Sequence, residues 1–399
     1  MSLQGRQAER IVRGAVEDGR LEASAAAWLA SRLVADEVFD PLLEGASEAK
    51  RRASGDVVTV ARNVFIPLTN LCRDRCAYCT FAKQPDSAEA KTYTLDEVAS
   101  LARGGVRTGC TEALFCLGDK PEVAYRSHRD WLRQQGWAST AEHLMEGCRV
   151  AFDAGLLPHT NAGILSQPEM AELRSVNASM GLMLESTSPR LRGKGMAHQY
   201  APDKDPVVRV RMHEQAGELR IPFTTGILLG IGENDLERVD TLLTIRRLQD
   251  RFGHIQEAII QPFHPKPGIR MRAALPPTDR AVAGWVALAR LLLGPEIQIQ
   301  APPNLAPGLI ELLLHAGVSD WGGISPVTVD FINPEAPWPT LSELRRRTEA
   351  VGQRLVERLP IYPTHLERPE FIDPAVRDAA LGLASDDGYA RPRHSQEAA

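Results

Sequence analysis

From Val57 onward, short apolar runs alternate with longer stretches in which apolar residues recur every three or four positions. The short runs suit buried strands, and the periodic stretches suit helices with one apolar face. The pattern predicts strands near 63–68, 112–117, 158–164, 179–185, 221–229, 256–262, 296–300 and 317–321. It predicts helices near 95–104, 138–154, 168–173, 206–219, 234–250, 277–293, 306–315 and 340–358. A βα unit repeated about eight times defines an α/β chain and fits a closed (β/α)8 barrel, or a partial barrel of fewer strands. Before Val57, Ile11, Ala15, Leu21, Ala25, Leu29, Leu33 and Val34 recur at helical spacing. They predict two or three helices packed on the outside of the barrel. From about residue 382 the chain turns polar, which predicts a loose tail. The expected division is a helical extension over 1–55, a barrel over 56–360, and a C-terminal extension with its tail over 361–399.

Charge and composition remove several classes of function. Lys and Arg number 46 against 51 Asp and Glu, and no basic run appears, so no nucleic-acid partner is expected. Charged residues interrupt every apolar stretch well short of a membrane span, so no membrane partner is expected either. The first residues, MSLQGRQAER, lack the apolar core of a signal peptide, and a cytoplasmic location follows as the expectation. Six cysteines in 399 residues do not make a disulfide framework.

The chemistry gathers in one stretch, Asn63 to Phe81, which reads NVFIPLTNLCRDRCAYCTF. Val64, Phe65, Ile66 and Leu68 suit a buried strand whose end Pro67 marks. Cys72, Cys76 and Cys79 then fall on a loop at the strand's C-terminal end, where barrels bind ligands. Thiolates spaced C-x3-C-x2-C can hold one face of a [4Fe–4S] cluster, which normally takes four cysteines. The next cysteine is Cys110, so one iron is left open to another ligand. Zinc is the alternative, but it takes four tetrahedral ligands, and no second pair or nearby histidine accompanies the triplet. A non-catalytic electron carrier is a further alternative, although carriers ligate every iron. Cys110, Cys116 and Cys148 are expected to pack in the core.

The triplet, with the aromatic Tyr78 just before its last cysteine, resembles the cluster loop of the radical S-adenosylmethionine (SAM) superfamily. The resemblance implies a TIM-type barrel, complete or partial, behind the N-terminal helical extension. It implies that the open iron chelates the amino and carboxylate groups of SAM. One electron, drawn from a low-potential donor, then releases a 5′-deoxyadenosyl radical. The segment Leu117-Gly118-Asp119-Lys120-Pro121-Glu122 resembles the superfamily's Gly-Gly-Glu-type segment, which receives the methionine ammonium. Asp119 stands for the acid and Leu117 replaces the first glycine; an ordinary Gly-Asp turn is the alternative. Glu185, at the end of the fourth strand, suits ribose hydroxyls or the SAM amine. Arg209 and Arg211 are candidates to pair with it, and one of them to face the SAM carboxylate. Thr225 to Glu233 resembles the G-x-I-x-G-x-x-E segment, whose glycines, Gly230 among them, let backbone approach the adenine. His159, Thr160 and Asn161 are expected at the barrel top after the third strand. Gln261, His264 and Lys266 are expected to reach the cavity after the sixth.

Three later segments narrow the resemblance. IIQPFHPKPG, APPNL and DWGGISPVTVDFINPEAPWP, taken with the earlier ones, resemble the FO synthase subunit 1 family over residues 60–360. FO is 7,8-didemethyl-8-hydroxy-5-deazariboflavin. That resemblance implies a substrate, 5-amino-5-(4-hydroxybenzyl)-6-(D-ribitylimino)-5,6-dihydrouracil. FO synthase subunit 2 makes this adduct from tyrosine and 5-amino-6-(D-ribitylamino)uracil. Hydrogen abstraction, ring closure and loss of ammonia then give FO. Asp320, Ser325, Thr328, Asp330, His264 and Gln261 are candidate substrate contacts. The coupling reaction of the partner subunit is one alternative. Sulfur insertion of the biotin synthase type is another, but Cys110, Cys116 and Cys148 are too scattered for an auxiliary cluster.

Overall fold

The computed structural model describes residues 2–393. Its nine strands form one parallel sheet: β1 (Val57–Pro67), β2 (Glu112–Cys116), β3 (Leu157–Asn161), β4 (Ser179–Gly181), β5 (Phe223–Leu229), β6 (Ile255–Pro262), β7 (Gln298–Gln300), β8 (Asp320–Ile324) and β9 (Arg354–Arg358). Strands β1 to β8 close into a barrel, because β1 pairs with β2 on one side and β8 on the other. The first strand is long enough to do this in two halves. Asn63–Pro67 run beside β2, while Thr59, Ala61 and Arg62 run beside β8.

Helices follow the strands and cover the barrel's outside. The main ones are Leu95–Arg107, Thr140–Asp153, Gln167–Leu173, Pro206–Glu218, Asp235–Phe252, Asp279–Leu293 and Ile310–His315. Their starts are set by side chains that accept the free N–H groups of the first turn. Thr94, Ser166 and Asn234 each form a reciprocal capping box with a glutamate three residues on. Before the barrel come three helices, Leu3–Asp18, Ala23–Ala30 and Asp36–Ser54. Leu21, Leu29 and Leu42 are buried in the same apolar core as Trp285 and Leu292 of the helix after β6. Gly284 permits the close approach, since a Cβ there would lie 2.5 Å from the Leu33 side chain.

Two expectations need correction. The periodic stretch 340–358 is not one helix. A helix covers Leu341–Ala350, Gly352 turns the chain at φ +77°, and Arg354–Arg358 become β9 beside Val57–Ala61. The loose tail is also wrong for residues 384–393. Helix Pro374–Leu383 leads into a bridge between Ala384 and Ala390. Ala390 N then donates to Glu357 O at 3.0 Å and Arg393 Nη1 to Cys110 O at 3.2 Å. Residues 394–399 of that expectation lie outside the described residues. Two short helices, Pro121–Ala124 and Arg126–Gln134, were not predicted. Among the described residues, no helix is long and apolar enough to cross a membrane.

Candidate active site

The C-terminal ends of the strands surround one cavity, and the loop after β1 supplies much of its wall. Asn70 pins that loop at both ends. Its Oδ1 accepts Lys91 N at 2.8 Å, its Nδ2 donates to Glu89 O at 2.7 Å, and its backbone O accepts Lys83 N. The segment after β2 lies against the loop: Gly118 N donates to Thr69 O and Arg73 N to Asp119 O. Only glycine fits at 118, because a Cβ would sit 2.0 Å from Leu71 O. Cys72, Cys76 and Cys79 all line the cavity, and Asp119 N donates to Cys72 Sγ at 3.2 Å.

Three cysteines from one loop fall one short of the four ligands that a structural zinc site takes, and the cavity they line leaves room for a further ligand. Burial pushes the Cys76 thiol up to about 12 and that of Cys72 well above its ordinary value. Bound iron ions would reverse that preference and hold both as thiolates.

Beside the thiols stand two groups of charged side chains. Asp74, Asp119 and Asp203 bring carboxylate oxygens within 4.8 Å of one another. Burial, then the charges of Asp203 and Asp74, push the Asp119 carboxyl up to about 7. Gly163 makes room for it, since a Cβ there would lie 2.5 Å from Asp119 Oδ2. The second group centres on Glu185, which has φ +63°, a costly conformation outside glycine. It is held there by Glu185 N on Gly226 O and Leu228 N on Glu185 O. Its carboxylate accepts from the Tyr78 hydroxyl and from Lys204 Nζ at 2.6 Å, with His198 Nε2 at 3.2 Å. Burial opposes its ionisation, but Lys204, His198 and Arg209 outweigh burial and hold its carboxyl well below the usual range.

The predicted residues divide as follows. Tyr78, Gly118, Asp119, Glu185 and Arg209 line the cavity with the three cysteines, as do Asn161, Gln261, His264 and Lys266. Arg209 does not pair with Glu185. It donates to Met183 O and to Asp203 O, the latter at 3.2 Å. Arg211 is exposed on the outer side of its helix. Gly230 does not line the cavity; it takes the turn after β5 at φ +93°, and its N–H donates to Glu233 Oε1 at 2.7 Å. His159 and Thr160 bond instead to Ser179 Oγ and Asn177 Oδ1.

Four proposed substrate contacts have other duties. Asp320 begins β8, at the opposite end of the barrel, and accepts from Arg358 Nε at 2.6 Å and Tyr362 OH at 2.7 Å. Ser325, Thr328 and Asp330 shape the loop after β8. Thr328 Oγ1 accepts Phe65 N, and Asp330 accepts Ile332 N, Asn333 N and Asn304 Nδ2. Asn333, from that same loop, does line the cavity.

Cys116 corrects another expectation. Cys110 and Cys148 are fully buried in the core, but Cys116 lines the cavity. Strand alternation explains it, since Ala113 and Phe115 take the face turned to the helices. Lys204 and His198 were missed because they lie in the irregular segment between β4 and the next helix, where no periodicity marks them.

The Radical SAM superfamily model matches residues 66–245. The 7,8-didemethyl-8-hydroxy-5-deazariboflavin synthase of Methanopyrus kandleri is 46% identical over 336 residues, covering 84% of this chain and 100% of that protein. The synthase of the same name from Methanothermobacter thermautotrophicus is 47% identical, covering 80% and 96%. FO synthase of Mycobacterium tuberculosis is 48% identical over 82% of this chain, which spans only 40% of that longer protein. Among solved structures, HydG, a maturase of the [FeFe]-hydrogenase, superposes with TM-score 0.74 at 15% identity, covering 95% of this chain and 82% of that one. At that identity the likeness concerns the fold. A [4Fe–4S] cluster and SAM are the superfamily's cofactors, and the thiol-lined cavity suits both. With near-complete coverage of two archaeal relatives, the chain belongs to the 7,8-didemethyl-8-hydroxy-5-deazariboflavin synthase family within the radical SAM superfamily.

Proposed function

We propose that this chain is the ring-closing FO synthase. It converts 5-amino-5-(4-hydroxybenzyl)-6-(D-ribitylimino)-5,6-dihydrouracil to FO, with release of ammonia and with SAM ending as methionine and 5′-deoxyadenosine. The observation that carries the reading is the convergence of the three loop thiols, the carboxylates of Asp74, Asp119 and Glu185, and the cations Lys204 and Arg209 on one barrel-mouth cavity, in a chain of this family. When bound, the cluster and SAM supply the hydrogen-atom abstraction that starts the reaction. Cys72, Cys76 and Cys79 would hold the cluster. Asp119 would accept the amino group of SAM, while Lys204 and Arg209 would pair with its carboxylate. Tyr78 and Glu185, locked together by a hydrogen bond, form the wall beside them. Gln261, His264 and Asn333 lie on other parts of the wall and offer polar contacts to the adduct. The loop after β8 closes over this space, tied by Thr80 Oγ1 and Lys266 Nζ to Ile332 O. Exclusion of water and of stray C–H groups is what a radical reaction requires.

The test is anaerobic. Protein reconstituted with iron and sulfide receives dithionite, SAM and the purified adduct, and FO fluorescence is followed with 5′-deoxyadenosine. Both products are expected. Formation of 5′-deoxyadenosine without FO would reject the ring-closing assignment, and tyrosine with the diaminouracil would then be tried in place of the adduct.

A further inference from the structure

Two buried carboxylate oxygens at the cavity wall lack hydrogen-bond partners, Asp74 Oδ2 and Asp119 Oδ1. Their residues are only 3% and 6% exposed, and both line the cavity. The other oxygen of each is already engaged. Asp74 Oδ1 accepts Asp203 N at 3.2 Å, and Asp119 Oδ2 accepts Ile164 N at 3.1 Å. The third carboxylate, Asp203, is neutralised by Arg73, which forks onto both its oxygens. So Asp74 and Asp119 each keep one free oxygen in a region shielded from water. Unpaired buried carboxylate oxygens are costly, and a donor of positive charge offsets that cost.

We infer that Asp74, from within the cysteine loop, shares with Asp119 the recognition of the amino group of SAM as a two-carboxylate clamp. The inference rests on the reading above that SAM occupies this cavity. An amino nitrogen whose lone pair is engaged by iron keeps two N–H donors, and the pair offers two free acceptors. Asp74 also stands midway between Cys72 and Cys76, so the loop that presents the thiols fixes the clamp's position. Lys204 and Arg209 line the same cavity. Paired acids and paired bases beside the thiols complement both ends of an α-amino acid.

The test compares SAM with its deamino analogue. Binding of each is titrated by equilibrium dialysis to reconstituted wild type and to Asp74→Asn, with iron and sulfide content measured on the same samples. Asp74→Asn is expected to weaken SAM about tenfold or more, as loss of a charge-assisted hydrogen bond does. The analogue, which lacks the amino group, is expected to change by no more than about twofold. Equal weakening of both ligands, or an unchanged SAM affinity, overturns the clamp. So does a wild-type SAM affinity that rises with added Mg2+ in a manner Asp74→Asn abolishes, which would assign the acids to a metal ion. Should Asp74→Asn hold no iron, Asp74→Glu carries the same pair of titrations. It keeps the charge but moves the free oxygen by one methylene, and the same outcomes support or overturn. No adduct is present in these titrations. Failure to form FO would therefore sink the reaction assigned above and leave the clamp standing.

Discussion

Four thiols share one cavity, and their origins separate their roles. Cys72, Cys76 and Cys79 come from a single loop that Asn70 pins and segment 118–119 backs, so their spacing is fixed as a unit. Cys116 ends β2 and enters from another wall. Replacing any one of the loop cysteines by alanine is expected to abolish SAM cleavage and to lower bound iron. Cys116→Ala is expected to retain the iron content of the wild type. Iron analysis and 5′-deoxyadenosine assays on the four variants check this, and loss of iron in Cys116→Ala would contradict it. The cysteine loop, Asp119 and Glu185 were legible because each follows a short apolar strand, where a barrel gathers its chemistry. Lys204 and His198 were not, since only the folded chain brings the irregular segment before Pro206 against Tyr78 and Glu185. Asp320 misled for the opposite reason. Its stretch is unusual in sequence, but it starts its strand and so faces the wrong end of the barrel.

The loop after β8 is an element without regular structure, and one cation helps to order it. Lys266 Nζ donates to Asn333 Oδ1 at 2.6 Å and to Ile332 O at 2.9 Å, and it lies 3.2 Å from Glu335. Lys266→Met would leave the buried Asn333 Oδ1 unpaired and Ile332 O with Thr80 Oγ1 alone, at a cost of about 1–3 kcal/mol. Because the loop covers the cavity, the expected result is uncoupling. SAM cleavage continues, while the ratio of 5′-deoxyadenosine to FO rises several-fold. Chromatography of both products reads the ratio, and a parallel fall of the two would reject the lid role. The rich Gly, Pro and Asp content of this segment did signal a shaped loop. The βα alternation was likewise readable, because most barrel strands are short buried runs and several of the helices between them start at a capping side chain, as at Thr94, Ser166, Asn234 and Thr278. Strand β9 was not readable: Arg354, Glu357 and Arg358 continue the charged texture of the preceding helix, and Leu355 is its only well-buried apolar residue. Pairing with Val57–Ala61, far away in sequence, decides its state.

The whole molecule carries a titration built from its histidines. Burial lowers six of them: His128, His143, His213 and His365 to about 4, and His159 and His254 to about 3. In the unfolded chain each would titrate near 6.5. Above that pH both states are neutral and the groups are silent. As pH falls below 6.5, the unfolded chain takes up protons that the folded chain refuses, so stability present above 6.5 is lost down to about 4 or 3. Four buried carboxyls act in the opposite sense. Asp74, Asp119, Glu112 and Glu257 are all raised, chiefly by burial, and favour the folded state as pH falls toward the ordinary carboxyl range, Asp119 from about 7. With six histidines held at about 4 or 3, the expected net is a loss of stability as pH falls from 6.5 to 5. Carboxylates held low, such as Glu237 and Glu311 at about 2, lose their contribution only below the ordinary carboxylate range near 4.5 and stay outside this window. Thermal melts of the iron-free protein are therefore expected to show a Tm that falls from pH 6.5 to 5. His143 packs at 4.5 Å against the Trp137 ring, so His143→Phe keeps an aromatic ring there while removing one titrating group. That variant should show a shallower fall than the wild type. A Tm that holds steady down to pH 5 would mean that the raised carboxyls, not the histidines, govern the acid side of this fold.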